Sequence, residues 1–206
     1  MGVAQDERRL LTELFTAVGP DAATLCDPWR TRDLAAHLVL RERRPDAAAG
    51  ILVKPLAGHT RAVQDRYAAK PWDELVALVR TGPPRWSPYA LLDELVNAVE
   101  FFVHHEDVRR APADWAPRSP DPGRDAALWN GLKRTAKLNY RRSPVGVVLR
   151  RPDGAAVTAR AGANPVVLTG QVSELLLHAF GRERCHVEYD GAADAVAAVK
   201  ALDRSV

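Results

Sequence analysis

The apolar residues of this chain change their period once, and that change limits what it can build. Up to about residue 142 they recur every three or four positions, the spacing of a helix with one buried face. Beyond that point they alternate or run together in short groups, as strand residues do. The 206 residues therefore read as mainly α: a helical part over 1–142, then a small α/β part over 143–206. A chain of this length buries a sizeable core.

Within the helical part, Leu10, Leu11, Leu14, Phe15 and Val18 mark a first helix, which Gly19 and Pro20 stop. A second helix starts near Thr31. Its hydroxyl is expected to cap the free amides, and Asp33 suits the positive end of the helix dipole. It carries Leu34, His37, Leu38 and Leu40 and stops at Pro45. Residues 59–80 read as helix in two pieces, with a fresh start at Pro71, Asp73 and Glu74. After "TGPPRWSP" comes a long helix, "LLDELVNAVEFFVHHEDVRR" (91–110). Four prolines make 111–123 a loop, and a further helix follows over 124–141. Four main helices are expected to form the bundle.

The α/β part begins with "VGVVLRRPDGAAVTAR", two strands joined around Asp153–Gly154, a pair that accepts the positive φ of a tight hairpin. "NPVVLTG" supplies a third strand, "QVSELLLHAFGR" a helix with Val172, Leu175, Leu176 and Ala179 on its apolar face, "CHVEYDG" a short last strand, and "ADAVAAVKAL" a closing helix.

Charge narrows the function classes. The net charge is +3 and the arginines are dispersed, with no basic arm or block, which argues against nucleic-acid binding. No run approaches the roughly 20 apolar residues needed to span a bilayer, and "MGVAQDERRLL" lacks the apolar core of a signal peptide. Cys26 and Cys185 lie far apart without metal-type spacing and are expected to be free thiols in a reducing cytoplasm.

The long helix poses the functional question. It buries leucines and valines, yet delivers Glu100, His104, His105, Glu106 and Asp107 within eight positions. Residues four apart lie one above the other on a helix, so Glu100 and His104 point the same way. At about 100° per residue, the apolar arc centres on Leu92, Val99 and Val103, with Val96 to one side. Glu100 and His104 border that arc and the bundle interior. Glu106 falls within the arc, His105 turns to the far side toward solvent, and Asp107 returns close to Glu100. Asp107 could stand behind the ligands or accept a proton, but an aspartate before "VRR" is more often an exposed ion-pair partner. On the second helix His37 sits among leucines, where a histidine is either a satisfied core residue or a ligand. One histidine plus a Glu-x-x-x-His pair makes a three-ligand N/N/O set that leaves a fourth position open, the arrangement of catalytic rather than structural zinc. Nickel, iron or cobalt would also suit such ligands.

"WRTRDLAAHLVLRER" (29–43) and "NAVEFFVHHEDVRR" (97–110) resemble the two signature segments of the DinB-like metal-binding superfamily. The nearest branch is the mycothiol-dependent maleylpyruvate isomerase family of actinobacteria, and the "HHEDVRR" wording is closer to an uncharacterised metal-binding subgroup. The resemblance implies a DinB-like helical bundle with a small C-terminal α/β domain. It implies a divalent metal, Zn2+ first with Ni2+ or Fe2+ as alternatives, on His37, Glu100 and His104. Mycothiol would be the thiol cofactor, and a small electrophile the substrate. The implied chemistry is transfer or isomerisation through a metal-activated thiol. A non-catalytic metal-binding or small-ligand-binding protein of the same superfamily is the alternative. "VVLTGQVSELLLHAFGR" (166–182) is similar to the family's C-terminal segment, and its closing Gly-Arg pair makes Arg182 a candidate catalytic residue that binds a substrate carboxylate. The competing reading of Arg182 is a basic residue favoured by a helix C-terminus. For His178 the expectation is a place at the domain junction. Nothing near Cys26 in sequence depresses its pKa.

Overall fold

The computed structural model of the chain is described for residues 2–51, 53–84 and 88–204, with 88–96 described through the backbone alone. The helices and strands follow the order α1 (Val3–Val18), α2 (Thr31–Arg43), α3 (Pro45–Ala48), α4 (Ala57–Ala68), α5 (Trp72–Thr81), α6 (Pro88–Arg109), α7 (Pro122–Asn139), β1 (Val147–Arg150), β2 (Ala156–Arg160), β3 (Val166–Thr169), α8 (Val172–Ala179), β4 (Glu188–Asp190) and α9 (Ala193–Lys200). Two short 3-10 turns lie between α3 and α4. The side chains of Leu92 and Val96, part of the expected apolar arc, lie outside the described residues, as does Trp86.

Two compact units divide the chain, residues 1–116 and 117–206. The first is all helical. Its core is filled by Leu11 and Phe15 of α1, Leu34, Leu38 and Val39 of α2, Leu75 and Val79 of α5, and Phe101 and Val108 of α6. α1 packs on α5 and α6, and α2 on α4 and α5. The first helix is shorter in apolar reach than its pattern suggests: Leu11 and Phe15 are buried, whereas Val18 is exposed next to the Gly19 stop.

The entry to α2 differs from the expectation. Thr31 Oγ1 does not cap the helix; it donates to the Gly19 carbonyl at 2.6 Å. Asp33 takes the capping role instead, its Oδ2 accepting the Arg30 amide at 2.9 Å. The hydroxyl therefore ties the end of α1 to the start of α2, the helix that carries His37.

In the second unit the strand order is β2-β1-β3-β4. β1 runs antiparallel to β2 and parallel to β3, and β4 is antiparallel to β3. Val147, Leu149, Ala159, Val166 and Leu168 are buried on the sheet. The β1–β2 turn places Gly154 at φ 88°, where a residue without Cβ is at ease. α7 packs on β2 and α8, so this helix belongs with the sheet. The compact units divide at 116/117, so α7, read from the sequence as part of 1–142, lies in the second unit. A helical period identifies α7 as a helix but carries no information on which neighbour its apolar face meets.

Candidate metal centre

Two helices and one loop supply the site. α2 presents His37 and, one turn on, Arg41. α6 presents Glu100, His104 and Asp107. The loop between α1 and α2 brings Cys26 and Trp29. The Leu25 amide donates to the Asp107 carbonyl at 3.0 Å, which holds this loop against the end of α6.

The three side chains expected to converge do so. Glu100 Oε1 lies 3.6 Å from His37 Nε2 and 3.4 Å from His104 Nε2, and the two imidazole rings stand 5.6 Å apart at 73°. A second trio shares His104. Its Nδ1 lies 2.9 Å from Asp107 Oδ2, to which Cys26 Sγ donates at 3.0 Å, and Sγ is 4.0 Å from Nδ1. In each trio one donor atom from every residue lies within 4.8 Å of the others.

Spacing separates the two. Zinc bonds of about 2.0–2.2 Å at tetrahedral angles put neighbouring N and O ligands about 3.3–3.6 Å apart. The contacts of Glu100 with the two histidines have that length and are longer than hydrogen bonds. The Asp107 contacts, at 2.9 and 3.0 Å, are hydrogen bonds already made. Both trios bring donor atoms close enough to hold an ion; in the second the contacts to Asp107 are at hydrogen-bond length. Asp107 is the partner that a ligating His104 requires: a proton on Nδ1 shared with the carboxylate leaves Nε2 as the free lone pair.

The electrostatics agree with a cation site. Burial lowers the pKa of His37, with the charge of His104 acting the same way, against the pull of Glu100. Burial alone would raise Glu100, but His104, His37 and the Arg41 guanidinium outweigh it and hold the carboxyl well below its usual value. Burial would lower His104, yet Asp107, Cys26 and Glu100 raise it well above the ordinary imidazole value. With no ion bound, a proton on His104 takes the place of positive charge between two carboxylates. A metal entering there would displace that proton.

Behind Glu100 runs a buried polar chain. Arg41 Nε is 3.4 Å from Glu100 Oε1, and Arg41 also bonds Asn97 Oδ1. Asn97 Nδ2 donates to Glu42 Oε1 at 3.1 Å, and both Glu42 oxygens take the Arg8 guanidinium at 2.6 and 2.7 Å. The ring of Trp29 lies 5.0 Å from that of His37 and walls that side of the site.

Several sequence expectations change here. His105 is not directed to solvent; it is 5% exposed and its Nδ1 pairs with Glu7 Oε2 at 2.9 Å, because α1 covers that face of α6. Asp107 is fully buried rather than an exposed ion-pair partner. Cys26 has ionisable neighbours after all, brought to it by a loop 78 and 81 positions away from them in sequence. Glu106 is buried as its arc position requires, bonded to Arg109 and Arg110. Arg182 belongs to the second unit, where its Nη1 donates to the Phe180 carbonyl at the end of α8, which Gly181 closes at φ 81°. His178 lies inside that same unit between two tyrosine hydroxyls.

No family profile matches the sequence, and no curated protein matches it. The fold does match solved structures. Against the crystal structure of the mycothiol-dependent maleylpyruvate isomerase the TM-score is 0.63 at 14% identity, covering 91% of this chain and 90% of that one. A histidine-to-alanine variant of that enzyme gives 0.63 at 15% identity with the same coverage. The chain therefore shares the fold of a thiol-dependent isomerase.

Proposed function

We propose that His37, Glu100 and His104 hold one divalent ion, Zn2+ before Ni2+ or Fe2+. The chain would then be a metal-dependent transferase or isomerase using a low-molecular-weight thiol of the mycothiol type. The observation that carries this reading is the spacing of the donor atoms, 3.4 and 3.6 Å about Glu100 Oε1. The fold shared with the mycothiol-dependent isomerase supports the choice of a thiol. A bound ion would stabilise a thiolate at its open position and so supply the nucleophile that adds to a small electrophile.

The chain's own residues set up that chemistry. Glu100 stays anionic because two imidazoles and Arg41 surround it. Asp107 fixes the tautomer of His104, and Trp29 shields His37 from water. Arg182 is kept as the residue that would take a substrate carboxylate, on the strength of the Gly-Arg resemblance.

Elemental analysis of the purified protein should find about one divalent ion per chain, and His104→Ala should lose it. Full metal content in the variant would refute the ligand set. Turnover of an electrophile that needs both thiol and metal separates an enzyme from a metal-binding protein without catalysis.

A further inference from the structure

The second unit holds a cavity of about 300 Å3, lined chiefly by His178, Glu183, Cys185, Tyr189, Lys200 and Arg204. A directed run of hydrogen bonds orders its polar wall. Tyr140 is fully buried, and its hydroxyl lies 2.6 Å from His178 Nδ1, its one side-chain hydrogen-bond partner among the described residues. If Nδ1 carried the proton, the Tyr140 hydroxyl proton would be buried without an acceptor, a costly loss. Tyr140 therefore donates to Nδ1. His178 is itself 2% exposed, and burial together with the Arg204 charge pushes it down to about 3, so the ring is neutral and has one N–H. That N–H is on Nε2, and it donates to the Tyr189 hydroxyl at 2.8 Å. With its oxygen already accepting, half-buried Tyr189 has its own proton left to offer to the cavity.

Two cations stand beside it. Lys200 Nζ lies 4.8 Å from the centre of the Tyr189 ring. Arg204, 7% exposed, spends Nε and Nη1 on the carbonyls of His178, Val199 and Leu202 at the ends of α8 and α9. Those helix ends offset part of its charge, but Nη2 makes no hydrogen bond among the described residues. Glu183 supplies the one carboxylate among the residues lining the cavity, leaving an excess of one positive charge.

We propose that this cavity binds a small organic carboxylate, with the Tyr189 hydroxyl, Lys200 and Arg204 Nη2 as its donors. A carboxylate offers acceptors only and brings the missing negative charge. The volume lies at the small end of ligand pockets, roughly 300–1,000 Å3, so the ligand is a compact acid. This site is independent of the metal centre and stands whether or not the metal reading does.

Benzoate titrated into the full-length protein, followed by NMR, should give saturable shifts confined to residues 178–204. Benzamide, its neutral counterpart, should give none. Tyr189→Phe, which keeps the ring, and Lys200→Met should each weaken benzoate binding about tenfold, the loss of one hydrogen bond to a charged group. The imidazole nitrogen shifts of the wild-type protein should show His178 protonated at Nε2. Benzamide binding as well as benzoate, no saturable benzoate binding, variants with wild-type affinity, or a proton on Nδ1 would each overturn the proposal.

Discussion

An imidazole has two nitrogens, and in His104 both are committed. Nε2 faces Glu100 and His37, while Nδ1 faces the fully buried Asp107. If the carboxylate selects the Nδ1–H tautomer, Asp107→Asn leaves all three ligands in place yet removes what orients one of them. Metal affinity should fall about 10- to 100-fold, the usual effect of losing such a partner. A competitive zinc titration measures it, and an unchanged affinity would mean that Asp107 plays no part in holding the ion. Cys26→Ser keeps a donor to Asp107 Oδ2 and should cost much less. His37, Glu100 and His104 were legible in the sequence because two of them repeat at one helical turn and the third sits alone on an apolar helix. Asp107 was not. Its role depends on the loop at 25–26 closing over the end of α6, and a contact across 81 positions leaves no periodic trace.

At the scale of elements, α6 explains both the success and the failure of the periodic reading. A helix covered on one side shows one apolar face. α6 is instead met by α1 as well as α2, so its charged positions are buried too and must find partners: His105 with Glu7, Glu106 with Arg109 and Arg110. The helix and strand positions themselves, including the hairpin at Gly154, follow the pattern closely, since period and turn chemistry are local properties. The same burial makes the Arg8–Glu42 pair critical, with side chains 6% and 1% exposed. Glu42→Ala takes the carboxylate from the buried guanidinium of Arg8, which keeps its bond to the Val79 carbonyl, and breaking a buried pair from one side costs about 3–5 kcal/mol. Urea unfolding should show the midpoint fall without a change of slope. A loss below about 1 kcal/mol, typical of a surface pair, would show that Arg8 finds water or another partner. Asn97 would lose an acceptor in the same variant, which couples this distant pair to Arg41 and so to the setting of Glu100.

Over the whole molecule, the candidate metal ligands read from the sequence lie in residues 1–116 and Arg182 in the second unit, which also carries a titration of its own. His178 has its pKa pushed down to about 3 by burial and by Arg204, whereas an unfolded histidine titrates near 6.5. Between those values the unfolded chain binds a proton that the folded chain refuses. The stability this group contributes is therefore fully present above pH 6.5 and is lost as the pH falls toward 3, by about 1.4 kcal/mol per unit. His104 acts with the opposite sign and in another window. Its raised value in the metal-free chain makes a contribution that is present below pH 6.5 and lost above it, through the folded pKa. Below pH 6.5 it is protonated in both states and leaves the slope to groups whose values are lowered, His178 and His37. Chemical denaturation of metal-free protein at successive pH values from 6.5 to 5 should thus show stability falling with pH. Ring signals of His178 should stay those of a neutral imidazole throughout. A His178 midpoint near 6.5 would mean that water reaches the ring. The hydrogen bonds to Tyr140 and Tyr189 would then no longer specify a single proton arrangement.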